Sequence, residues 1–169
     1  MTAGWPVPAD DFVLLFGDGC IRAQLNWAKL ERDCRIEASV SRSRAVLGDL
    51  YTVWYSGPEG HDSEFRDADA RPLRVRETEF TEATWPAARA ERIAEFERRY
   101  RADGRPVHLP LPVYVLDDGE LLLLDGTHRA VAAHRSGVDV RLLLFAVHGP
   151  VDQAMLPDLR HHPKADRLS

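Results

Sequence analysis

The sequence predicts an α/β (α+β) fold, a small mixed sheet packed with two main helices. Its 169 residues fit one compact domain, and an apolar content of 44% is enough to fill a core. Residues 71–148 alternate between short apolar runs and periodic segments, in the order strand, helix, strand, strand, helix, strand. Glycine-containing turns separate these segments at spacings typical of hairpins and helix ends.

The first elements of residues 71–148 follow from local patterns. A short strand is predicted over residues 73–75. Pro86 then opens a helix, because a missing N–H costs nothing in the first helical turn. Ile93 and Phe96 recur at helical spacing, and Gly104 ends the helix.

A β-hairpin is predicted next. Two apolar runs, residues 111–116 and 120–124, flank an Asp-Asp-Gly turn at residues 117–119. A strong turn signal between two apolar runs favours antiparallel pairing.

The last elements are a second helix and a final strand. The helix covers residues 127–136 and ends at Gly137, and the strand covers residues 140–147. Residues 149–169 are expected to form a tail or a short helix.

Residues 1–70 are predicted to form a β-rich N-terminal elaboration beside the 71–148 core. Apolar runs at residues 12–16 and 20–25, joined by a glycine-containing turn, suggest a β-hairpin. A further strand is predicted over residues 50–55, which are rich in Tyr, Val and Trp.

Two other segments of this part are less regular. Residues 26–47 are compatible with either helix or strand. Residues 57–70 are rich in Gly, Pro, Asp, Glu and Ser, which marks a loop or an internal boundary.

The net charge of −5 has an uneven origin. Residues 1–70 hold 12 acidic and 7 basic side chains, whereas residues 71–169 hold 15 of each. Sequence-independent binding to nucleic acid requires an excess of Lys and Arg, so nucleic acid is not expected as a partner. With no apolar stretch long enough for a membrane span and no basic leader, a cytoplasmic protein without membrane contact is expected.

The cysteines and histidines do not predict a metal site. Cys20 and Cys34 lack a CxxC partner and are expected to be reduced thiols. His128 and His134 are six residues apart, which places them on different faces of a helix.

The candidate for a binding or catalytic site is the segment Leu121-Leu-Leu-Leu-Asp-Gly-Thr-His-Arg-Ala-Val-Ala-Ala-His-Arg-Ser-Gly137. Its pattern predicts a strand, a glycine turn and a helix. The free N–H groups of a helix start favour an anion, and Gly126 allows a phosphate to approach the backbone. Thr127 can cap the helix, while His128 and Arg129 add donors. The alternative is that Thr127 only caps, His128 is solvated and Arg129 pairs with Asp125.

The DGTHR turn, the following AVAAHRSG and the preceding helix ERIAEFERRYRADG resemble the ParB/sulfiredoxin superfamily over residues 71–147. Sulfiredoxins carry a catalytic cysteine where this chain has Thr127, which argues against their reaction. Chromosome-partitioning members add a helix-turn-helix reader, for which the residues after position 147 leave too little room. Nuclease-type members generally need a metal held by carboxylates, and no such cluster stands out.

The DGTHR motif is most similar to that of free serine kinases. This resemblance implies a kinase that transfers phosphate to a small hydroxyl-bearing metabolite such as an amino acid. The expected phosphate donor is ATP or ADP with Mg²⁺, and CTP is left open as an alternative donor. It implies phosphate binding at Gly126, Thr127, His128 and Arg129, with Asp125 and His128 as catalytic groups. Glu82 is the expected base, with Glu77 and Glu79 as alternatives. A ParB-like nucleotide-binding or hydrolysing switch and a ParB-like nuclease are the other functions left open.

Two other features are expected to be structural. Trp27, Trp54 and Trp85 could stack on a base, but single aromatic residues in apolar settings usually pack in a core. The run Arg98-Arg99-Tyr100-Arg101 could face a phosphate or a partner. A solvated helix face is favoured, because glutamates interleave with the arginines at pairing distance.

Overall fold

The computed structural model describes residues 3–17, 21 and 24–162 and confirms the mixed α/β class. Within these residues, one eight-stranded sheet has helices packed on both faces. The strands are β1 (Trp5–Val7), β2 (Arg35–Ser41), β3 (Tyr51–Ser56), β4 (Asp62–Ser63), β5 (Arg71–Arg74), β6 (Val107–Val115), β7 (Leu121–Leu123) and β8 (Val140–His148). The helices are α1 (Ala9–Phe16), α2 (Trp27–Asp33), α3 (Arg44–Asp49), α4 (Ala87–Asp103) and α5 (Thr127–Ser136), with 3₁₀ segments at Val75–Thr84 and Pro157–His161.

The sheet combines both parts of the chain. Its order is β1-β2-β8-β6-β7-β3-β4, and β5 also pairs with β3. β6 is parallel to β8 and β3 is parallel to β7, whereas the other pairs are antiparallel. Strands from residues 1–70 therefore flank β8, β6 and β7 on both sides, and β5 pairs with one of these flanking strands, β3. A domain boundary at residue 70 stays a prediction.

Two apolar clusters lie on opposite faces of this sheet. Val113 and Leu144 belong to the cluster that includes α4 and α5. Their chain neighbours Tyr114 and Phe145 belong to the cluster that includes α1 and α2. Successive strand residues point to opposite faces, so both faces of the central strands are buried.

Most elements of residues 71–148 form as predicted. α4 begins after Pro86, α5 spans the expected ten residues, and β6 pairs with β7 as an antiparallel hairpin. Gly104 and Gly137 end the two helices with φ of 62° and 73°, a left-handed conformation that glycine adopts at no steric cost.

The predicted N-terminal hairpin is wrong where it can be checked, because α1 occupies its first strand. Asp10 and Asp11 lie in the first turn of α1, where acidic side chains favour a helix. Phe12 and Phe16 are one turn apart, and their ring centroids are 5.0 Å apart in the core. The predicted turn and the start of the second strand, residues 18–20 and 22–23, lie outside the described residues.

The ambiguous segment 26–47 contains both kinds of structure. It forms α2, β2 and the start of α3. The Asn26 side chain caps α2 by accepting a hydrogen bond of 3.0 Å from the Lys29 N–H, and the Ser43 side chain caps α3 in the same way. Two caps within one segment explain why a single periodicity does not describe it.

Candidate functional site

The turn between β7 and α5 presents a free helix start. Gly126 is the N-cap of α5 with φ of 84°, and its carbonyl accepts a 2.9 Å hydrogen bond from the Ala130 N–H. The N–H groups of the first helical residues therefore precede the helical hydrogen-bond ladder. The prediction that Thr127 caps the helix is wrong, because Thr127 is the first helical residue and no side chain caps α5.

This turn opens into a cavity of about 540 Å³, a volume typical of small-molecule sites. β3, the segment after β4, α4 and the turn itself all contribute to its wall. The lining residues are Val53, Trp54, Tyr55, Ser63, Glu64, Phe65, Arg66, Arg89, Leu124, Asp125, Gly126, Thr127 and His128. The site thus joins the predicted turn to residues from the part of the chain that the sequence left unassigned.

His128 is packed against aromatic side chains. Its ring lies 5.1 Å from the Trp54 ring in an edge-to-face arrangement, and Trp54 in turn lies 5.6 Å from Trp85. Burial, followed by the charges of Arg92 and Arg89, lowers the pKa of His128. His128 is therefore mainly neutral at pH 7.

Arg89 fixes the α4 side of the cavity. Its guanidinium lies over the Trp54 ring at 4.5 Å and is paired with Asp62 of β4. Both side chains of this ion pair are less than a fifth exposed. A planar cation held against an indole and a carboxylate gives the wall a defined shape.

Arg129 is adjacent to the turn, but its side chain faces away from this cavity. Its Nη2 lies 3.5 Å from Asp125 Oδ2, which agrees with the pairing alternative. The Arg129 side chain lines a separate cavity beside Tyr100 of α4. The turn cavity therefore brings together Asp125, Gly126, Thr127 and His128. Arg129 contacts Asp125 but does not line this cavity.

Glu82, the expected base, lies elsewhere. Its carboxylate accepts a 2.9 Å hydrogen bond from Arg135, which also pairs with Glu97 at 2.9 Å. Arg135 lies nine residues after Gly126, which corresponds to about 13 Å along the helix axis.

The two alternative bases are also remote from the turn. Glu77 accepts a hydrogen bond from the backbone N–H of Arg74, and Glu79 lines another cavity beside His134. Asp125 and Glu64 are the carboxylates in the lining of the turn cavity.

Sequence reasoning missed Glu64, Arg66 and Arg89. Glu64 and Arg66 lie in the polar segment that was assigned only as a loop or boundary, and Arg89 lies on the first turn of α4. The pair Asp62–Arg89 connects these two segments, 27 residues apart in the chain. A local pattern in the sequence carries no signal for such a contact.

The other singled-out residues have structural positions. Trp27 packs at 6.2 Å from Phe12, while Trp54 and Trp85 are both buried. Cys34 is partly buried, and Cys20 lies outside the described residues. Among the residues described, no group of three or more His, Cys, Asp or Glu side chains could hold a metal ion.

Known proteins give no assignment for this chain. No protein family, no curated protein and no solved structure matches it. Across the described ranges, none of the helices has the length and apolar character needed to cross a bilayer.

Proposed function

We propose that this protein is a nucleotide-dependent phosphotransferase of the ParB/sulfiredoxin type that acts on a small hydroxyl-bearing metabolite such as an amino acid. The observation that carries the proposal is the opening of the DGTHR turn into a cavity of small-molecule size. A helix start that faces a cavity is suited to hold phosphate groups, because its N–H groups and dipole both favour an anion.

The cavity wall offers complementary groups for the rest of a nucleotide. Arg66 and Arg89 add positive charge to the lining, and the partly buried Phe65 supplies a ring surface, whereas the rings of Trp54 and Tyr55 are buried. Neutral His128 can donate one hydrogen bond to a phosphate oxygen while its ring stays packed on Trp54.

Asp125 is the carboxylate that we assign to the transfer step. The acceptor hydroxyl oxygen forms a bond to the terminal phosphorus, while the bond from that phosphorus to the bridging oxygen breaks. The hydroxyl proton passes to Asp125, and the nucleotide shortened by one phosphate leaves with the bond electrons on its bridging oxygen. Glu82 has no part in this step, because it is paired with Arg135 at the other end of α5.

A carboxylate of the turn cavity also provides for Mg²⁺ binding. Mg²⁺ is commonly bound through one or two carboxylates together with nucleotide phosphates, and Glu64 fits that mode. When bound, the ion neutralises charge on the phosphate oxygens.

Phosphorus NMR tests the proposal. The protein is incubated with ATP, ADP or CTP, Mg²⁺ and a panel of amino acids and small alcohols, and the expected product is a new phosphoester. Asp125→Asn is expected to bind nucleotide but to lower turnover by about 100-fold or more. Glu82→Gln serves as the matched carboxylate control and is expected to retain turnover.

The outcomes separate the functions considered. Loss of transfer in Glu82→Gln with retention in Asp125→Asn would move the base role to Glu82 and contradict our assignment of Asp125. Nucleotide binding with hydrolysis or without turnover would indicate a regulatory switch. Absence of nucleotide binding overturns the proposal.

A further inference from the structure

A second cavity, of about 600 Å³, lies behind the DGTHR turn. It is bounded by the C-terminal half of α4, the loop that follows it, and the first residues of β6 and β8, and it opens to solvent, with Arg99, Arg105 and Arg141 exposed. The lining residues are Phe96, Arg99, Tyr100, Asp103, Arg105, Pro106, Val107, His108, Leu109, Arg129 and Arg141. None of these residues lines the turn cavity.

The charge of this lining is one-sided. Four arginines face a single carboxylate, that of Asp103. Among the residues that the structure describes, Arg99, Arg105 and Arg141 have no carboxylate within ion-pair distance. This concentration of positive charge occurs in a protein whose net charge is −5. An excess of unpaired guanidinium groups in one cavity favours an anionic ligand.

The arginines come from separate elements that the fold brings together. Arg99 lies on α4, Arg105 on the loop after it, and Arg141 on β8, where it is in register with His108 of β6. Guanidinium groups on several sides of one cavity can each bind two phosphate oxygens.

One wall of the cavity is aromatic. The rings of Phe96 and Tyr100 are stacked, with centroids 5.8 Å apart and planes at 21°. Burial raises the pKa of the Tyr100 hydroxyl, although the charges of Arg129 and Arg99 act in the opposite direction. The hydroxyl is therefore protonated and can donate a hydrogen bond beside an apolar ring surface.

We propose that this arginine-lined cavity is a separate binding site for a small ligand that carries two or more phosphate groups and an aromatic ring, a nucleoside di- or triphosphate. The arginines bind the phosphates, and the stacked rings contact the base. Arg129 joins this site to the DGTHR turn. Its guanidinium lies 3.5 Å from Asp125, which is a long contact. A phosphate bound in the arginine-lined cavity therefore competes with Asp125 for the Arg129 guanidinium.

Isothermal titration with pyrophosphate and with ADP, without Mg²⁺ or acceptor, tests the site. We expect both probes to bind the wild type, and ADP to bind more tightly because its base adds contact with the aromatic wall. Arg99→Gln/Arg141→Gln is expected to weaken pyrophosphate binding by about tenfold or more.

A matched control removes the same charge elsewhere. Arg98→Gln/Arg71→Gln also takes one exposed arginine from α4 and one from a strand, and neither residue lines the cavity. We expect wild-type affinity in this control. Equal weakening in both double variants, or in neither, overturns the proposal.

Two further measurements locate the site and identify the kind of ligand. Pyrophosphate should protect Arg99 and Arg105 from phenylglyoxal while Arg98 still reacts, and equal labelling with and without pyrophosphate contradicts the site. Tight binding of a single-stranded oligothymidylate, without binding of ADP or pyrophosphate, overturns the small-ligand proposal in favour of a nucleic-acid strand.

The two proposals can fail separately. Because the turn cavity can also bind pyrophosphate, the titrations are repeated in His128→Ala, where we expect Arg99→Gln/Arg141→Gln to weaken the remaining binding by about tenfold or more. A protein that binds pyrophosphate through Arg99 and Arg141 but transfers no phosphate contradicts the proposed function alone. A protein that makes a phosphoester yet binds ADP equally well in all the arginine variants contradicts the second site alone.

Discussion

At the scale of single residues, two glycines share a backbone conformation but differ in their surroundings. Gly126 and Gly119 have φ of 84° and 82°. A Cβ on Gly126 would lie 2.9 Å from Leu111 Cδ2 and 3.0 Å from Arg129 Nη2, whereas a Cβ on Gly119 would meet nothing within 4 Å. Leu111 is fully buried and has little space to move.

This contrast gives a matched pair of substitutions. Gly119→Ala is expected to lower the free energy of unfolding by about 1–2 kcal/mol, because alanine disfavours a positive φ. Gly126→Ala is expected to cost about 1–3 kcal/mol more, because it also crowds a packed side chain. Urea unfolding of both variants measures the difference. Equal losses would show that the turn has room for a side chain.

His162 links stability to pH. Its side chain is buried, and within the described structure its Nε2 has no hydrogen-bond partner. Burial, followed by the charge of His161, lowers its pKa to about 4, while Asp118, Asp158 and Glu120 oppose the shift. The unfolded chain takes up this proton near pH 6.5, before the folded protein does. The resulting stability is complete above that pH and is lost as the pH falls towards 4.

His162→Gln is expected to remove this pH dependence. Between pH 7 and pH 4 the free energy of unfolding of the wild type should fall by up to about 3 kcal/mol more than that of the variant. Urea titrations at several pH values measure the two slopes, with exposed His108→Gln as the control for loss of a histidine. Parallel wild-type and His162→Gln curves would contradict the assignment.

At the scale of elements, α4 and α5 are anchored differently. In α4 one residue, Ile93, is buried, whereas α5 has five buried residues, including Ala130 and Val131. Phe96 and Tyr100 of α4 are only partly buried. Apolar burial therefore stabilises α4 less than it stabilises α5.

Ile93→Ala is expected to lower the free energy of unfolding by about 2–4 kcal/mol, and Ile93→Val by about 1 kcal/mol. Hydrogen exchange followed by mass spectrometry should show faster exchange in α4 than in α5 in the alanine variant, because α4 opens locally. The same increase in both helices would instead show that they open as one unit.

The elements that the sequence predicted correctly are those with clear end signals. α5 lies between Gly126 and Gly137, and the turn of the β6–β7 hairpin contains Gly119; all three glycines have a positive φ. α1 was predicted as a strand because a five-residue apolar run has no distinguishing period. The packing of Phe12 and Phe16 against the sheet determines its helical form.

The candidate site was only partly predictable, for a similar reason. Asp125, Gly126, Thr127 and His128 are contiguous, so the sequence places them together. Arg89 and Glu64 reach the cavity through contacts between distant segments, and the position of Glu82 depends on its pairing with Arg135. Tertiary contacts of this kind leave no local pattern.

At the scale of the whole molecule, the shared sheet predicts that residues 71–162 do not fold alone. Without β2 and β3, the strands β8 and β7 lose their outer neighbours, and the cluster around α1 and α2 loses its cover. The fragment is expected to show no cooperative thermal transition by circular dichroism, and to bind a hydrophobic dye.

The control for this fragment is residues 9–162, which end at the same residue and keep every described helix and strand except the edge strand β1. This chain is expected to melt cooperatively, because β1 pairs with one neighbour. A cooperative transition with native secondary structure in residues 71–162 would instead establish those residues as an autonomous domain.

The pairing of β2 with β8 also determines when the protein can fold on the ribosome. Arg35 and His148 are partners in that ladder although 113 residues separate them. An early strand must therefore wait for nearly the whole chain to be made before it acquires its central neighbour, and pairings of such large sequence separation form slowly. Throughout that wait the phenylalanines of α1 lack the sheet that covers them, so the growing chain exposes apolar surface until β8 has been made.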